Sequence, residues 1–340
     1  PLAHLPGRSK RLITPSAEMT MNDYRRAAAK LTAWLDAHFD SAGRCTIEPH
    51  EGPFYPKAPY LLNAAGLRTK GARAARWALD HCLDEQGDFT GPGELENRLY
   101  AMGWLLLGAV AVERFDLVQV LVQRLLQLQD DASGGVVLAD ADAGEEVGEV
   151  CFSGGVGMAL AAAGETAAAR IMADRFVALL DAQPHPGRYY NRFRRDGSVV
   201  DRPAAGEWAK MYDLELDEQR PANFATVLNT LVWVGRATRQ VHYRAAARRY
   251  VDLVYRHRLD PARFGRATKF GWALLNLYED SGDEDLLQRA RQLGDVLVQQ
   301  QCADGLWHPR PGPVEDAPAH ARLSYSSDCA MTVLALAQLD

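Results

Sequence analysis

The chain has 340 residues, 47% apolar and 24% charged, with a formal net charge of -6; these are ordinary globular values, with enough apolar side chain for a large core. The mild acidity argues against nucleic acid or an anionic membrane surface as a partner, and no apolar run reaches the length of a bilayer span. The five cysteines, Cys45, Cys82, Cys151, Cys302 and Cys329, are odd in number and irregular in spacing, so no disulfide framework is expected and the location is read as cytoplasmic.

Residues 1–20 carry Arg8, Lys10 and Arg11 without a following apolar segment, and are read as a flexible arm rather than a secretory signal. From there to residue 340 a single domain is expected. Asp23 to Phe39 has charges on one helical face and apolar residues on the other. The turn Asp40-Ser-Ala-Gly43 stops it, because Asp bonds the local backbone and Gly supplies a left-handed residue. After a polar loop, Ala58 to Ala65 forms a second helix with few charges.

This couple recurs. Amphipathic helices are expected over Lys70 to Leu83, Phe115 to Leu128, Thr166 to Leu180, Tyr243 to Arg258 and Asp285 to Gln301. Each is followed by a turn and loop, then by a helix apolar nearly all round: Glu94 to Val112, Phe152 to Ala163, Ala222 to Ala237, Thr268 to Tyr278 and Ser326 to Leu339. Helices apolar on all faces belong inside, and Gly154, Gly155 and Gly157 let neighbours approach closely. The connections from apolar to amphipathic helices are short, which makes neighbours antiparallel. Arg188 to Val200 reads as a small β-hairpin turning at Asp196-Gly197. Six hairpins close into an all-α (α/α)6 toroid; an open solenoid is the competing arrangement.

The segment Gln299-Gln-Gln-Cys-Ala-Asp-Gly-Leu-Trp307 resembles the Gln…Gly…Trp turns of the terpenoid cyclase and protein prenyltransferase toroids, and the overall plan is similar to that of the six-hairpin glycosidases. The resemblance implies the toroid fold more than a reaction. Terpene cyclases of the second class protonate with an Asp-x-Asp-Asp motif; here the chain has Asp140-Ala-Asp142-Ala143, and the last residue departs from that pattern. Asp328-Cys329 and Cys151-Phe-Ser-Gly-Gly155 bear a faint similarity to the zinc sites of toroid prenyltransferases and lanthionine cyclases. No Cys-x-x-Cys or Cys-His pair accompanies them, so no metal and no cofactor is assigned.

In such a ring the long loops gather at one rim with the N-termini of the inner helices, where converging helix ends create a positive potential. One deep pocket is expected there. The candidate catalytic residues are Asp328, Glu94, Asp213 and Tyr60 as acid or base, with Cys151 as a thiol at a helix N-terminus. Candidate substrate-binding residues are Tyr55, Lys57, Asn97, Tyr100, Tyr189, Tyr190, Trp208, Asn223, Lys269, Trp272, Trp307, His308 and Tyr325, mostly aromatic groups able to shape a cavity and face a cation. The acidic run Asp140, Asp142, Glu145, Glu146 and Glu149 could bind a divalent ion or keep one carboxyl protonated by mutual repulsion, and reads first as a solvated loop.

A small-molecule lyase or isomerase follows, with acid–base chemistry in an aromatic-lined pocket, in the manner of a terpenoid- or polyketide-type cyclase. A carbohydrate enzyme (glycoside hydrolase or epimerase) is the alternative, and needs two carboxylates at a defined separation. A non-catalytic helical scaffold is the third reading.

Overall fold

The computed structural model describes residues 19–47, 55–90, 95–140, 145–201, 211–214, 223–256, 268–308 and 319–339. The amphipathic segments form α1 (Met21–His38), α3 (Arg68–His81), α5 (Phe115–Leu128), α7 (Thr166–Asp181), α9 (Val241–Arg256) and α11 (Glu284–Gln300). The apolar segments form α2 (Ala58–Ala64), α4 (Leu95–Ala111), α6 (Val150–Ala162), α8 (Phe224–Thr238), α10 (Phe270–Ser281) and α12 (Ala319–Ala337). The last of these starts seven residues before the expected Ser326.

The two sets bury different amounts of themselves. On α5 the fully buried positions are Leu117, Leu121 and Leu125, one row four residues apart, and each buried Leu contributes about 2 kcal/mol. On α6 every residue from Ser153 to Leu160 is buried. The six apolar helices pack side by side in the order α2, α4, α6, α8, α10, α12, and α12 returns to α2. That last contact makes the array a ring instead of a solenoid. Small residues bring the inner helices together: a Cβ on Gly103 of α4 would lie 2.8 Å from the Gly155 carbonyl of α6. Likewise Thr230 of α8 donates its hydroxyl to the Gly154 carbonyl of α6 at 2.9 Å.

The outer ring is closed by its turns. After α1, the Asp40 carboxylate accepts from the Ala42 and Arg44 backbone N–H groups, and after α3, Asp84 does the same with Gln86 and Asp88. In four of these turns the glycine lies against the next outer helix, Gly43 on α3, Gly87 on α5, Gly134 on α7 and Gly305 on α1, whereas Gly187 after α7 meets no neighbour. The fourth contact joins the end of the ring to its beginning. There Gln301 donates to the Ala27 carbonyl of α1 and to Gly305, and the Trp307 indole donates to the Leu297 carbonyl at 2.7 Å. The Gln…Gly…Trp segment is thus a fastener between α11 and α1.

Two small antiparallel sheets cap the loop rim. The first joins β1 (Val137–Asp140), β2 (Glu145–Glu149) and β4 (Arg192–Arg194) in the order β1-β2-β4. The second pairs β3 (Arg188–Tyr190) with β5 (Met211–Asp213). The turn expected at Asp196-Gly197 forms, with Phe193 bridging Val199. Its strands find their main partners elsewhere, because the acidic segment pairs as a hairpin and offers β2 as an edge to β4. The acidic run is thus two paired strands and not a solvated loop, with Glu149 buried at its end and Glu146 half-exposed beside Arg195 at 3.0 Å. No described helix is long and apolar enough to cross a membrane.

Candidate active site

Lys57 ends the 3-10 turn before α2, and Lys269 precedes α10. A cation at a helix N-terminus opposes the helix dipole, and both side chains are buried, each 4% exposed. Both are held by one carboxylate. Asp328 of α12 takes Lys57 Nζ on Oδ1 at 2.8 Å and Lys269 Nζ on Oδ2 at 2.9 Å. Lys269 also donates to the Tyr100 hydroxyl of α4 at 3.0 Å. The Lys57 ammonium lies over the rings of Tyr100 and Trp104, at 5.2 and 5.5 Å from their centres.

Electrostatics fixes the charge states. Burial alone would raise the Asp328 carboxyl, but Lys269 and Lys57 outweigh it and hold it at about 2. Burial would likewise release the Lys269 proton, but Asp328 and Tyr100 hold its pKa well above the ordinary lysine range. The triad therefore sets two lysines against one carboxylate, at a rim where inner helix N-termini add positive potential. Tyr100 accepts from Lys269, which leaves its own proton to donate elsewhere.

Cys151 begins α6 beside this group. Its thiol is pushed up to about 12, first by burial and then by the Glu149 carboxylate, so it is a thiol and not a nucleophilic thiolate at neutral pH. Glu149 caps α6, accepting from the Cys151 and Phe152 N–H groups at 2.7 and 2.9 Å. The Cys329 thiol is buried and pushed up as well, and no cluster of three or more metal-ligating side chains occurs among the described residues.

The other candidates divide between rim, core and barrel axis. Asn223 is buried before α8, where its backbone carbonyl accepts from Thr226. Tyr325 stands one turn before Cys329 and bonds its sulfur. Tyr189 lies in the core, its hydroxyl 2.8 Å from that of Tyr250 and its ring against Phe224. Tyr190 is equally buried, its N–H given to Gln183. Trp307 is fully buried in the fastener, with half-buried His308 beside it. Asp213 lies on β5 opposite Arg188.

Tyr60 and Trp272 sit deeper, their ring centres 5.6 Å apart. Both lie against Trp104, and both line a cavity at the opposite rim. Glu94 and Trp208 lie outside the described residues, as do the side chains of Tyr55 and Asn97. Trp104 was not among the candidates; its only signal in the sequence is its place one turn after Tyr100.

No protein-family model matches the sequence, and no curated protein matches it. Solved structures do match in shape. A D-mannose isomerase superimposes with a TM-score of 0.64 at 10% identity, over 95% of this chain and 98% of the other. The GH76A α-1,6-mannanase of Salegentibacter sp. gives 0.64 at 14% identity, over 93% and 100%. A type II terpene cyclase from Scytonema, in complex with its product merosterolic acid A, gives 0.59 at 15% identity, over 93% and 98%. The fold is that of the (α/α)6 toroids. At these identities the likeness speaks for the toroid alone, and the chemistry rests on the residues of this chain.

Proposed function

We propose that this toroid is an isomerase or lyase that moves a proton on a small, oxygen-rich substrate of carbohydrate type. The carrying observation is the Lys57–Asp328–Lys269 triad with Tyr100 in contact. In this reading Tyr100 is the group that exchanges a proton with substrate. Lys269 and Lys57 stabilise negative charge, both on the phenol oxygen and on a substrate oxyanion. Asp328 is a positioning residue that fixes both ammonium groups.

The charge states favour this reading over the two neighbouring ones. Protonation of an alkene, as in a cyclase of the second class, needs a carboxylic acid that keeps its proton; Asp328 is held as the carboxylate. Glycoside hydrolysis needs two carboxyl groups facing one bond; among the described residues beside the triad, Glu149 is committed to capping α6. Proton transfer beside a carbonyl needs an electrophile for the developing enolate, which two buried ammonium groups supply. A D-mannose isomerase and a cellobiose 2-epimerase are built on the same toroid, so this frame accommodates the proposed class.

The test is incubation in D2O with a panel of aldoses, ketoses, uronates and cellobiose, followed by NMR for deuterium at carbons next to carbonyl groups. Wild-type protein is expected to label at least one substrate, and Tyr100→Phe to lose roughly 100-fold or more in rate. Absence of exchange over the whole panel, or a fully active Tyr100→Phe, overturns the proposal.

A further inference from the structure

The opposite rim, where the inner helices end, holds a cavity of about 360 Å³. It lies between α2, α10 and α12. Its inner wall is aromatic: Tyr60 and Trp272 meet at 5.6 Å, and Trp104 backs both at about 6 Å. Its sides are apolar, with Leu275, Met331 and Leu334. Trp104 separates it from the Lys57 ammonium, so it is a different compartment from the triad.

Several polar groups of this cavity can accept a hydrogen bond. Asn276 uses its amide N–H on the Asn229 side-chain carbonyl at 2.7 Å, which leaves its own carbonyl oxygen as acceptor. Gln338 uses its amide N–H on the Ala64 carbonyl at 3.1 Å, with the same consequence. Glu279 adds a carboxylate that is 56% exposed and shared with Arg236 at 3.5 Å. The surrounding helix ends are C-terminal and so carry partial negative charge. Acceptors, a carboxylate, negative helix ends and electron-rich ring faces all suit a cation.

We propose that this cavity binds a small organic ammonium ion with an apolar body, at a site separate from the Asp328 triad. The ammonium group lies toward Glu279 and the carbonyls of Asn276 and Gln338, and the apolar body against Tyr60 and Trp272. The proposal does not depend on the reaction assigned to the other rim.

The experiment is isothermal titration of the full chain with benzylammonium, benzyl alcohol and benzoate, three probes of one shape and different charge. Saturable binding of benzylammonium is expected, with the alcohol at least roughly tenfold weaker and benzoate weaker still. Glu279→Gln, a change at an exposed position, is expected to shrink the advantage over the alcohol to about threefold or less. Ala335→Phe, which places a ring in the cavity, is expected to abolish binding while circular dichroism remains that of the wild type. Equal affinity for the three probes, no saturable binding of the ammonium ion, or binding that survives in a folded Ala335→Phe overturns the proposal. Should Ala335→Phe fail to fold, the charge ranking and Glu279→Gln decide.

Discussion

Asp328 concentrates the electrostatics of the loop rim in one side chain, 18% exposed and shared by two ammonium groups. Removing the charge of one member of a buried ion pair strands its partners, at a cost of about 3–5 kcal/mol. Asp328→Asn is therefore expected to destabilise the fold by that order, measured by urea unfolding at neutral pH. The pH dependence has a definite sign. The carboxyl titrates at about 2 in the folded chain against an ordinary 3.8, so its contribution is present above pH 4 and is lost as pH falls from about 4 to 2. Wild-type stability should drop through that window more steeply than that of Asp328→Asn; parallel curves would contradict the ion-pair account. Asp328, Lys57, Lys269 and Tyr100 are all candidates in the sequence, but nothing local to them says that they meet. A cue was present, since lysine at the start of an apolar helix opposes the helix dipole and needs a counter-charge. Which acid supplies it, from a helix 271 residues away in sequence, was not legible. Tyr189 and Trp307 show why aromatic candidates are hard to sort from sequence: each carries a polar tip, and the fold satisfies both tips inside the core.

The recurring element is an outer helix, an Asp–Gly turn and an inner helix, and the turn gives each hairpin its place against the next. Gly305 serves twice, once by its left-handed backbone at φ 93° and once by lying 2.7 Å, measured from an ideal Cβ, from the Lys30 carbonyl of α1. A side chain fits neither condition. Gly305→Ala is expected to cost about 2 kcal/mol or more, read as a lower urea midpoint with an unchanged slope. A neutral Gly305→Ala would show that the fastener does not hold the ring. Most of this element was legible, because amphipathic period, stop signals and apolar composition are all local properties of sequence. The inner helices are stopped with similar regularity. Left-handed residues follow α2, α4, α6, α8 and α10 at Gly66, Glu113, Gly164, Arg239 and Gly282. Glu113 and Arg239 gave no such signal, since a non-glycine residue in that conformation is a strain imposed by packing. The sheet pairing was read only in part. The Asp196-Gly197 turn is local, whereas the partners of β3 and β4 are set by edges that other loops supply.

At the scale of the molecule, closure distinguishes this ring from a stack of repeats. In an open array each unit contacts only its neighbours, and loss of a terminal unit leaves the others folded. Here α1 packs on both α11 and α12. Its Tyr24 hydroxyl reaches Asp295, its ring meets the flat surface at Gly294, and Leu31 and Leu35 are wholly buried. Deleting residues 19–38 is expected to abolish the cooperative unfolding transition of the whole chain, followed by circular dichroism in urea. Retention of a sharp transition would mark the fold as behaving like an open solenoid. The two rims of the ring also differ in character. The N-terminal rim presents ammonium groups and helix N-termini, and the C-terminal rim presents acceptors and helix C-termini. All inner helices run in one direction, so this polarity is a consequence of the ring itself.

The sequence alone determined the helices, their alternation, which of them go inside and where the chain turns, because each depends on the composition of a few consecutive residues. It also determined which side chains carry charge near the starts of inner helices. Only the tertiary structure decided that α12 returns to α2, that one carboxylate meets two lysines and a tyrosine, and that Tyr60 and Trp272 face the far cavity instead of the loop rim. Those outcomes depend on contacts between residues from 59 to 271 positions apart, and local hydrophobic period carries no information about which distant helix will be the neighbour.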